Sequence, residues 1–304
     1  MSSSGIVASG RIGTGLSLMC EPEFQLATEC LFSAGEVDVL EWSFDMGWGM
    51  PVSAWVMGQL KEFSNAGNLL GHGVSFSPFS GRWSRRQEAW LEHFSDEVSR
   101  NPMRWVSEHF GFMGAGDFHQ NAPLPVPLNS ETLAIGRSRL EMLAEVSGRP
   151  VGMENLAFAF SEEDVREQGE FLEQLLEPVN GFLLMDLHNV FCQACNFDCS
   201  TIELLSLFPL QRVRELHISG GSWDETSSSG DRLRRDTHDG PVPLEVFDLL
   251  AEALKRCLAV EAVILEQIGT AFDSESIREQ FRCDYRRMRD VVHSVNMSAP
   301  KATP

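Results

Sequence analysis

The protein has 304 residues, and 24 Lys and Arg residues against 44 Asp and Glu residues give it a formal net charge of −20. With 43% hydrophobic and 22% charged residues, it has the composition of a folded globular protein and not that of a disordered chain. The excess of negative charge disfavours nucleic acid as a partner, because binding to phosphates requires a basic surface. The length fits either about two average domains or one (β/α)8 barrel of ~250 residues or more.

No run approaches the ~18 consecutive apolar residues that a transmembrane helix needs. The first residues, MSSSGIVASGRIG, lack the basic and apolar regions of a signal peptide. Seven cysteines, an odd number, do not suggest a disulfide framework. These features predict a cytoplasmic protein with no membrane partner.

Short apolar runs alternate with longer amphipathic stretches along the chain. The short runs predict eight strands, at residues 12–19, 37–45, 69–77, 105–113, 151–158, 181–190, 213–219 and 262–268. The amphipathic stretches predict helices at residues 87–99, 131–146, 163–176, 244–257 and 274–295. Strands separated by helices indicate a parallel sheet, and eight such strands can close a barrel. We therefore expect an α/β fold, a single (β/α)8 TIM-type barrel over residues 1–295, followed by a flexible tail at 296–304.

Two polar segments fall outside this pattern. Residues 114–129 are rich in Gly, Pro and Asn, and residues 220–231 read GGSWDETSSSGD. Both are predicted to be loops. Because the functional loops of such barrels follow the C-terminal ends of the strands, we expect these two segments to border the active site and to exclude water from it.

Side chains that bind metals recur at the ends of the predicted strands. Five histidines and four acidic residues occupy such positions: His72, His109, His188, His217, His238, Glu154, Asp186, Asp236 and Glu266. Since alternate residues of a strand face the same side, Asp186 and His188 are expected to point in one direction, as are Asp236 and His238. Imidazoles with carboxylates suit iron, manganese or zinc better than calcium. Any one of these residues has an ordinary structural explanation, but unpaired buried carboxylates are costly, so their recurrence predicts a polynuclear metal site at one mouth of the barrel.

The motifs HGVSFS, SEH, MENLAF, MDLHNVF, ELHISGG, DTHDGPV and ILEQ follow one another in this order. In this combination, from about residue 12 to about residue 292, the sequence resembles the multinuclear non-haem iron-dependent oxidative enzymes. This is the DUF692 family, which contains the methanobactin-forming oxidase. The resemblance implies a (β/α)8 barrel that holds two or three irons in mixed ferrous and ferric states. It also implies that O2 is used to modify cysteine residues of a ribosomally made precursor peptide.

The family's motifs, matched residue by residue, imply a set of iron ligands. His72 and His109 would hold one iron, and Glu154 would bridge it to a second. His217 and Glu266 would be ligands of that second iron. The resemblance assigns no catalytic residue beyond the metal ligands.

A third iron would be held by Asp186, Asp236 and His238. The resemblance implies a ligand role for His188 as well. Many family members have Asn at this position, and the iron that His188 serves is left open.

Other residues would act around the ligands. Asn155 and Asn189 resemble the residues that orient ligands in the family. The family's signature on the second strand, Glu-x-x-x-Glu-Asn, appears here as Glu41, Asp45 and Met46. The shorter acid and the missing Asn favour a structural role for Glu41.

The segment FCQACNFDC contains Cys192, Cys195 and Cys199. Such spacings also occur in zinc and iron–sulfur sites, but a fourth ligand at the expected spacing is missing. Cys192 and Cys195 are candidates for a loop that contacts substrate. The surrounding DLHNVFCQACNF is most similar to the family branch that excises the β-methylene of a C-terminal cysteine on the way to 3-thiaglutamate. In that branch a small partner protein recognises the peptide, so the resemblance implies a heterodimer.

Several alternatives stay open. The product could be an oxazolone/thioamide pair or another sulfur heterocycle. The chain could instead be a zinc- or manganese-dependent hydrolase or isomerase of the xylose-isomerase-like barrel class, since those barrels share strand-end His, Glu and Asp ligands. A non-catalytic peptide-binding scaffold with structural metals would require closed coordination shells.

Overall fold

Eight parallel strands close into a barrel in the computed structural model, which describes residues 11–115, 118–225 and 232–298. The barrel strands are β1 (Gly13–Leu18), β2 (Val39–Trp42), β3 (Leu69–Gly73), β4 (Val106–His109), β7 (Val151–Glu154), β8 (Phe182–Asp186), β9 (Val213–Ile218) and β12 (Ala262–Leu265). Around the barrel they follow the order β1, β12, β9, β8, β7, β4, β3, β2. The predicted (β/α)8 TIM-type barrel is confirmed, and each of the eight predicted strands corresponds to one barrel strand.

The helices pack around the outside of the barrel. In the described residues they are α1 (Pro22–Ser33), α2 (Ala54–Asn65), α3 (Arg85–Arg100), α4 (Ser130–Ser147), α5 (Glu162–Leu176), α6 (Leu187–Asn196), α7 (Thr201–Leu207), α8 (Leu244–Arg256) and α9 (Glu275–Ser298). The five predicted helices correspond to α3, α4, α5, α8 and α9. Capping explains the clearest boundaries: α4 begins with a capping box formed by Asn129 and Thr132, and it ends at Gly148, which has a φ of 58°.

The inside of the barrel is layered. One layer is apolar and consists of Val39, Leu70, Trp105, Phe182, Leu184, Ala262 and Ile264. Residues two positions further along the same strands face the same side, since side chains alternate along a strand. Two positions after Val39, Leu70, Leu184 and Ile264, the strands carry polar residues: Glu41, His72, Asp186 and Glu266. The apolar layer therefore forms the floor on which a polar layer rests at the C-terminal mouth.

Each of the two segments predicted to be loops takes part in an antiparallel hairpin, so the prediction was wrong for the residues that form strands. Strand β5 (Phe112–Ala115) pairs with β6 (Phe118–Leu124), and β10 (Trp223–Glu225) pairs with β11 (Arg232–Arg234). Residues 116–117 and 226–231 lie outside the described residues. Each hairpin follows a barrel strand, β4 or β9, and so lies at the C-terminal mouth.

The predicted strand at 181–190 ends earlier than expected. Strand β8 stops at Asp186, whose side chain accepts a hydrogen bond from the backbone N–H of Asn189 and thereby caps α6. His188 consequently lies in the first turn of a helix and not on a strand.

At the C-terminal end, α9 continues through Ser298, past the predicted domain boundary at 295. Residues 299–304 of the predicted tail lie outside the described residues. Among the helices that are described, none combines the length and the apolar character required to cross a bilayer.

Candidate metal site

His72, His109 and Glu154 meet at the mouth of the barrel, on three adjacent strands. The Glu154 Oε2 atom lies 3.3 Å from His72 Nε2 and 3.2 Å from His109 Nε2. The two imidazole rings are tilted against each other with their centroids 4.6 Å apart. His109 and Glu154 are direct partners in the register of β4 and β7, so the barrel itself fixes their separation.

The Nδ1 atoms of His72 and His109 each form a hydrogen bond within the protein. Ser107 Oγ donates to the Gly71 carbonyl and accepts from His72 Nδ1 at 2.8 Å, while His109 Nδ1 donates to the Gly73 carbonyl at 3.2 Å. In the neutral rings, both Nε2 lone pairs therefore face Glu154 Oε2, which has no hydrogen-bond partner. Converging acceptors repel one another unless a proton or a metal ion lies between them. Separations of ~3 Å are those of neighbouring ligands bound to one ion at about 2.1 Å.

Glu154 also belongs to a second group of potential metal ligands. It lies with Asp186, His217 and Glu266, and all four residues are buried. His217 Nδ1 is 3.0 Å from Glu266 Oε2, and Asp186 Oδ2 is buried without a hydrogen-bond partner. A carboxylate shared by two groups fits a bridge between two metal ions.

Two buried glutamates behind His217 were not expected to matter for the site. Glu41, for which a structural role was predicted, lies with Oε2 3.0 Å from His217 Nε2, and Glu215 Oε1 lies at 3.8 Å from the same nitrogen. When His217 donates its Nε2–H to Glu41, its Nδ1 lone pair faces the second group. Carboxylates commonly orient metal-binding histidines in this way, by accepting a hydrogen bond from the other ring nitrogen. Strand alternation could have revealed Glu215, since it precedes His217 by two positions on β9.

Asp236 and His238 follow the short strand β11, so their expected position at the end of a barrel strand was wrong. His238 Nε2 lies 2.9 Å from Asp236 Oδ1 and 3.9 Å from Glu266 Oε2. The backbone of His238 has a φ of 53°, in the left-handed region, so Asp236 and His238 are not extended as expected. The His238 side chain nevertheless reaches the edge of the second group at Glu266, and Asp236 contacts His238 there.

His188 has a different position from the one that its expected ligand role requires. Its Nδ1 lies 2.8 Å from Asp236 Oδ1, and its Nε2 accepts from Arg234, with Nη2 at 3.0 Å and Nε at 3.3 Å. Both ring nitrogens are therefore occupied by protein groups. In this geometry His188 contacts a candidate ligand and does not itself face the metal groups.

The two asparagines hold the backbone around Asp186. Asn155 Oδ1 accepts from the Asp186 N–H at 2.7 Å, and Asn155 Nδ2 donates to the Asp186 carbonyl at 3.1 Å. Asn189 Nδ2 in turn donates to the Asn155 carbonyl at 2.9 Å. These contacts are of the kind expected of residues that orient a ligand.

Cys192 and Cys195 lie on α6, which corrects the expectation of a substrate loop at these positions. The Cys192 Sγ is buried and lies 3.9 Å from both ring nitrogens of His188. Burial, followed by the charges of Asp236 and Asp186, raises the pKa of the Cys192 thiol. Cys195 is half-buried, and burial also raises its pKa. Neither thiol is prepared to act as a thiolate.

The electrostatics of the site are dominated by buried carboxylates. Burial alone lowers the pKa of His72, but contact with Glu154 and the charge of Glu41 raise it to about 10. For His217, the carboxylates outweigh the effect of burial and raise the pKa well above its usual value. Burial raises the pKa of Asp186 well above its usual range, and the charge of Asp236 adds to this effect. A metal ion would relieve the same concentration of negative charge that draws protons onto the imidazoles.

A cavity of about 370 Å³ opens onto the cluster. From the site it is lined by His72, His109, Asp236, His238 and Glu266. Its other walls are mostly apolar and include Met19, Cys20, Trp42, Met46, Met50, Ala122, Pro123 and Ile268. The hairpin of β5 and β6 contributes Ala122 and Pro123, so it does border the site as expected of the segment 114–129.

The donor set consists of imidazole nitrogens and carboxylate oxygens, converging in groups that contain unpartnered buried atoms. This composition fits iron, and it also fits manganese and zinc. His72, His109 and Glu154 could hold one ion, and Glu154 with Asp186, His217 and Glu266 could hold another.

The chain is similar to one family model and to several individual bacterial proteins. A family model described as "RiPP precursor modification enzyme MbnB/TglH/ChrH" matches residues 33–281, where RiPP denotes a ribosomally synthesised and post-translationally modified peptide. A UPF0276 protein of Caulobacter vibrioides is 29% identical over 229 residues, covering 75% of this chain and 77% of the relative. A UPF0276 protein of Shewanella loihica is 26% identical over 251 residues, covering 81% and 83%.

Solved structures with the same fold have much lower sequence identity. The IOLI protein with a bound zinc atom has a TM-score of 0.60 at 13% identity and covers 93% of this chain and 99% of its own. A D-psicose 3-epimerase determined in the presence of D-fructose has a TM-score of 0.58 at 14% identity, covering 92% and 99%. These similarities establish the barrel fold alone. The family model, in contrast, spans most of the chain, and the protein belongs to the MbnB/TglH/ChrH family of RiPP precursor modification enzymes.

Proposed function

We propose that the protein is a multinuclear iron enzyme that uses O2 to oxidise a cysteine residue of a ribosomally synthesised precursor peptide. One observation carries this proposal: Glu154 Oε2 lies without a hydrogen-bond partner beside two imidazole nitrogens, and Glu154 is shared with a second ligand group. Membership of a peptide-modifying family supplies the substrate class.

Two or three irons, in mixed ferrous and ferric states, would supply redox chemistry, O2 activation and an attachment point for the substrate thiolate. The chain's own residues would determine where that chemistry takes place. Glu154 would hold two ions at a fixed separation, and Ser107 and Glu41 would keep the imidazoles of His72 and His217 in the orientation that binds metal.

The cavity supports a peptide substrate. Methionine, tryptophan and proline side chains line it outside the metal-facing residues, and such walls favour apolar contact with a peptide over recognition of a polyol. Their apolar character would also keep water away from the reacting thiol. A cysteine side chain entering the cavity would meet His72, His109 and Glu266 at its inner end.

For the product, we propose excision of the β-methylene of a C-terminal cysteine, as in 3-thiaglutamate biosynthesis. The similarity of DLHNVFCQACNF to that branch supports this choice over an oxazolone/thioamide pair or another sulfur heterocycle. We further propose that a small partner protein delivers the peptide as part of a heterodimer. In its described residues the chain consists of the barrel and its hairpins, without a separate peptide-capturing domain. We place the reaction in the cytoplasm.

The first experiment is to purify the protein without oxygen, add ferrous iron and measure metal content together with the Mössbauer spectrum. The proposal expects two to three irons per chain, with part of the iron in a spin-coupled mixed-valence pair. With a peptide that ends in cysteine, the enzyme should then consume one O2 per product. The peptide should lose the mass of one CH2 group, which leaves as formate because CH2 + O2 balances as HCOOH. A site that takes zinc and refuses iron would contradict the proposal and favour the hydrolase or isomerase alternative.

A variant pair links the activity to this site. Glu154→Gln removes the shared carboxylate, whereas Glu163→Gln makes the same change on the exposed surface of α5. We expect iron binding and O2 consumption to be lost in the first variant and retained in the second. Equal activity of the two variants would show that the chemistry occurs elsewhere.

A further inference from the structure

Arg234 is a buried cation beside the candidate metal site. It lies on β11, and only 6% of its surface is exposed. Its backbone is fixed to the end of α6, since Asn196 Oδ1 accepts from the Arg234 N–H at 2.7 Å and Asn196 Nδ2 donates to the Arg234 carbonyl at 2.9 Å. The guanidinium lies over the rings of Phe191 and Trp223, with its carbon 5.6 Å from each centroid. A long side chain held on so many sides has a defined geometry.

That geometry determines the tautomer of His188. A guanidinium only donates hydrogen bonds, so His188 Nε2, which receives bonds from Arg234 Nη2 and Nε, must carry a lone pair. The proton of the neutral ring is then on Nδ1, from which it is donated to Asp236 Oδ1 at 2.8 Å. The stacked ring of Phe191, 6.0 Å away, holds the imidazole plane.

We propose that Arg234 is a positioning residue that fixes His188 as its Nδ1–H tautomer, and that His188 thereby holds Asp236 as a ligand of the third metal. The part of this inference that concerns the metal rests on the proposed function, whereas the tautomer of His188 does not depend on it. It assigns His188 to the support of a ligand. A neutral Asn side chain also offers one donor and one acceptor, so the same relay could operate with Asn in place of His188.

The direction in which metal affinity changes when Arg234 is removed distinguishes a positioning role from a simple effect of its charge. A cation near the site repels bound metal ions, so its removal alone would strengthen metal binding. A positioning role predicts the opposite, because Asp236 would lose the group that orients it. Losing such a partner typically weakens metal binding by ~10–100-fold.

The first test is an anaerobic titration with ferrous iron, in competition with a chelator, on Arg234→Met. The matched control is Arg235→Met, which removes the same charge from the next residue, an exposed Arg paired with Asp224. We expect the weakest iron-binding step to weaken ~10-fold or more in Arg234→Met, with the tighter steps and the control nearly unchanged. Unchanged or tighter binding in Arg234→Met would overturn the assignment.

The second test needs no metal. Long-range ¹H–¹⁵N spectra of histidine-labelled, metal-free protein report which ring nitrogen of His188 carries the proton. We expect the Nδ1–H form of His188 in the wild type and its loss in Arg234→Met. The control, Arg235→Met, should show the same form as the wild type. An Nε2–H form in the wild type would refute the relay. If the wild type binds no iron, the proposed function fails, while this spectrum still decides the role of Arg234.

A substitution series at His188 completes the design. His188→Asn keeps one donor and one acceptor, whereas His188→Leu removes both. We expect His188→Asn to retain the weakest iron site within about tenfold and His188→Leu to lose it. Loss of the weakest iron site in His188→Asn as complete as in His188→Leu would contradict the relay.

Discussion

The two sides of the candidate metal site are built differently. On the strand side, His72, His109 and Glu154 lie on β3, β4 and β7, in a register fixed by barrel hydrogen bonds. On the loop side, Asp236 and His238 follow the hairpin of β10 and β11, and His238 has a left-handed backbone. Side-chain contacts hold this second side, including those from Ser219 and His188 to Asp236. The barrel preorganises half of the site, while the other half depends on how a helix and a hairpin pack.

The largest difference between the two sides should appear on removal of one carboxylate from each. Glu154→Gln should abolish binding of two ions and lower turnover by about 10³-fold or more, since a lost Lewis acid is worth several kcal/mol. Asp236→Asn should remove one ion and leave the strand-side metal bound. Metal analysis with circular dichroism, to verify folding, checks both. If the two variants lose the same metal, the division into two sides is wrong.

Proton release should also differ between the sides and between individual histidines. The pKa of His72 is raised to about 10, so in the metal-free protein it carries a proton at pH 7 that a metal must displace. Burial lowers the pKa of His109, and this ring has no such proton to lose. Affinity should therefore rise as the pH increases towards about 10, by about tenfold per pH unit for each displaced proton, and level off above that pH.

Calorimetry in buffers of different ionisation enthalpy would count the protons released on binding. His238, whose pKa is raised well above its usual value by Asp236 and Glu266 against the effect of burial, should add a further proton on the loop side. A heat of binding that is independent of the buffer would contradict this expectation.

A smaller effect, confined to the loop side, is expected from Gly221→Ala. A Cβ at Gly221 would overlap the Arg235 carbonyl oxygen and come within 2.9 Å of His188 Cε1. The chain must shift to make room, at a cost of roughly 1–3 kcal/mol in the free energy of unfolding. Urea unfolding and metal titration should show lower stability and a weaker third site, with strand-side binding intact. A matched Gly240→Ala, where the nearest atom would be at 3.4 Å, serves as the control.

The smallest effect is expected for Cys192→Ala. The buried thiol fills space beside His188, and the loss of this small group should cost only about 1 kcal/mol in the free energy of unfolding. Its raised pKa disfavours the thiolate. Under the proposed function the substrate supplies the reacting cysteine, so O2 consumption should persist. Loss of turnover with full metal content would instead show that the Cys192 thiol takes part in the reaction.

The sequence was most informative where structure is periodic. All eight barrel strands and the strand-side residues could be predicted, because alternation along a strand determines which residues face the mouth. The position of His188 could not, because a single capping contact, from Asp186 to the Asn189 N–H, converts the end of a strand into a helix. The Asn at the third position after Asp186 gave no signal strong enough to outweigh the apolar pattern around it.

The other differences have a similar cause. The pattern of apolar runs does not predict helices α1, α2, α6 and α7, which are all 12 residues or shorter, and α6 follows β8 directly. It predicts loops in place of the two hairpins because these segments are rich in Gly, Pro and polar residues. The contact between Glu41 and His217 could not be predicted, because the two residues are distant in the sequence and become neighbours only in the closed barrel. Arg234 reaches His188 through the same kind of long-range packing.

The order of the strands around the barrel has a consequence for biosynthesis of the enzyme. Glu266 follows β12, the last strand to be translated, and β12 closes the barrel by pairing with β1 at one edge and β9 at the other. A nascent chain therefore lacks one member of the second ligand group until residue 266 has been synthesised. Complete loading with the proposed iron would then wait for complete folding, which would shield the unfinished polypeptide from damage by that metal.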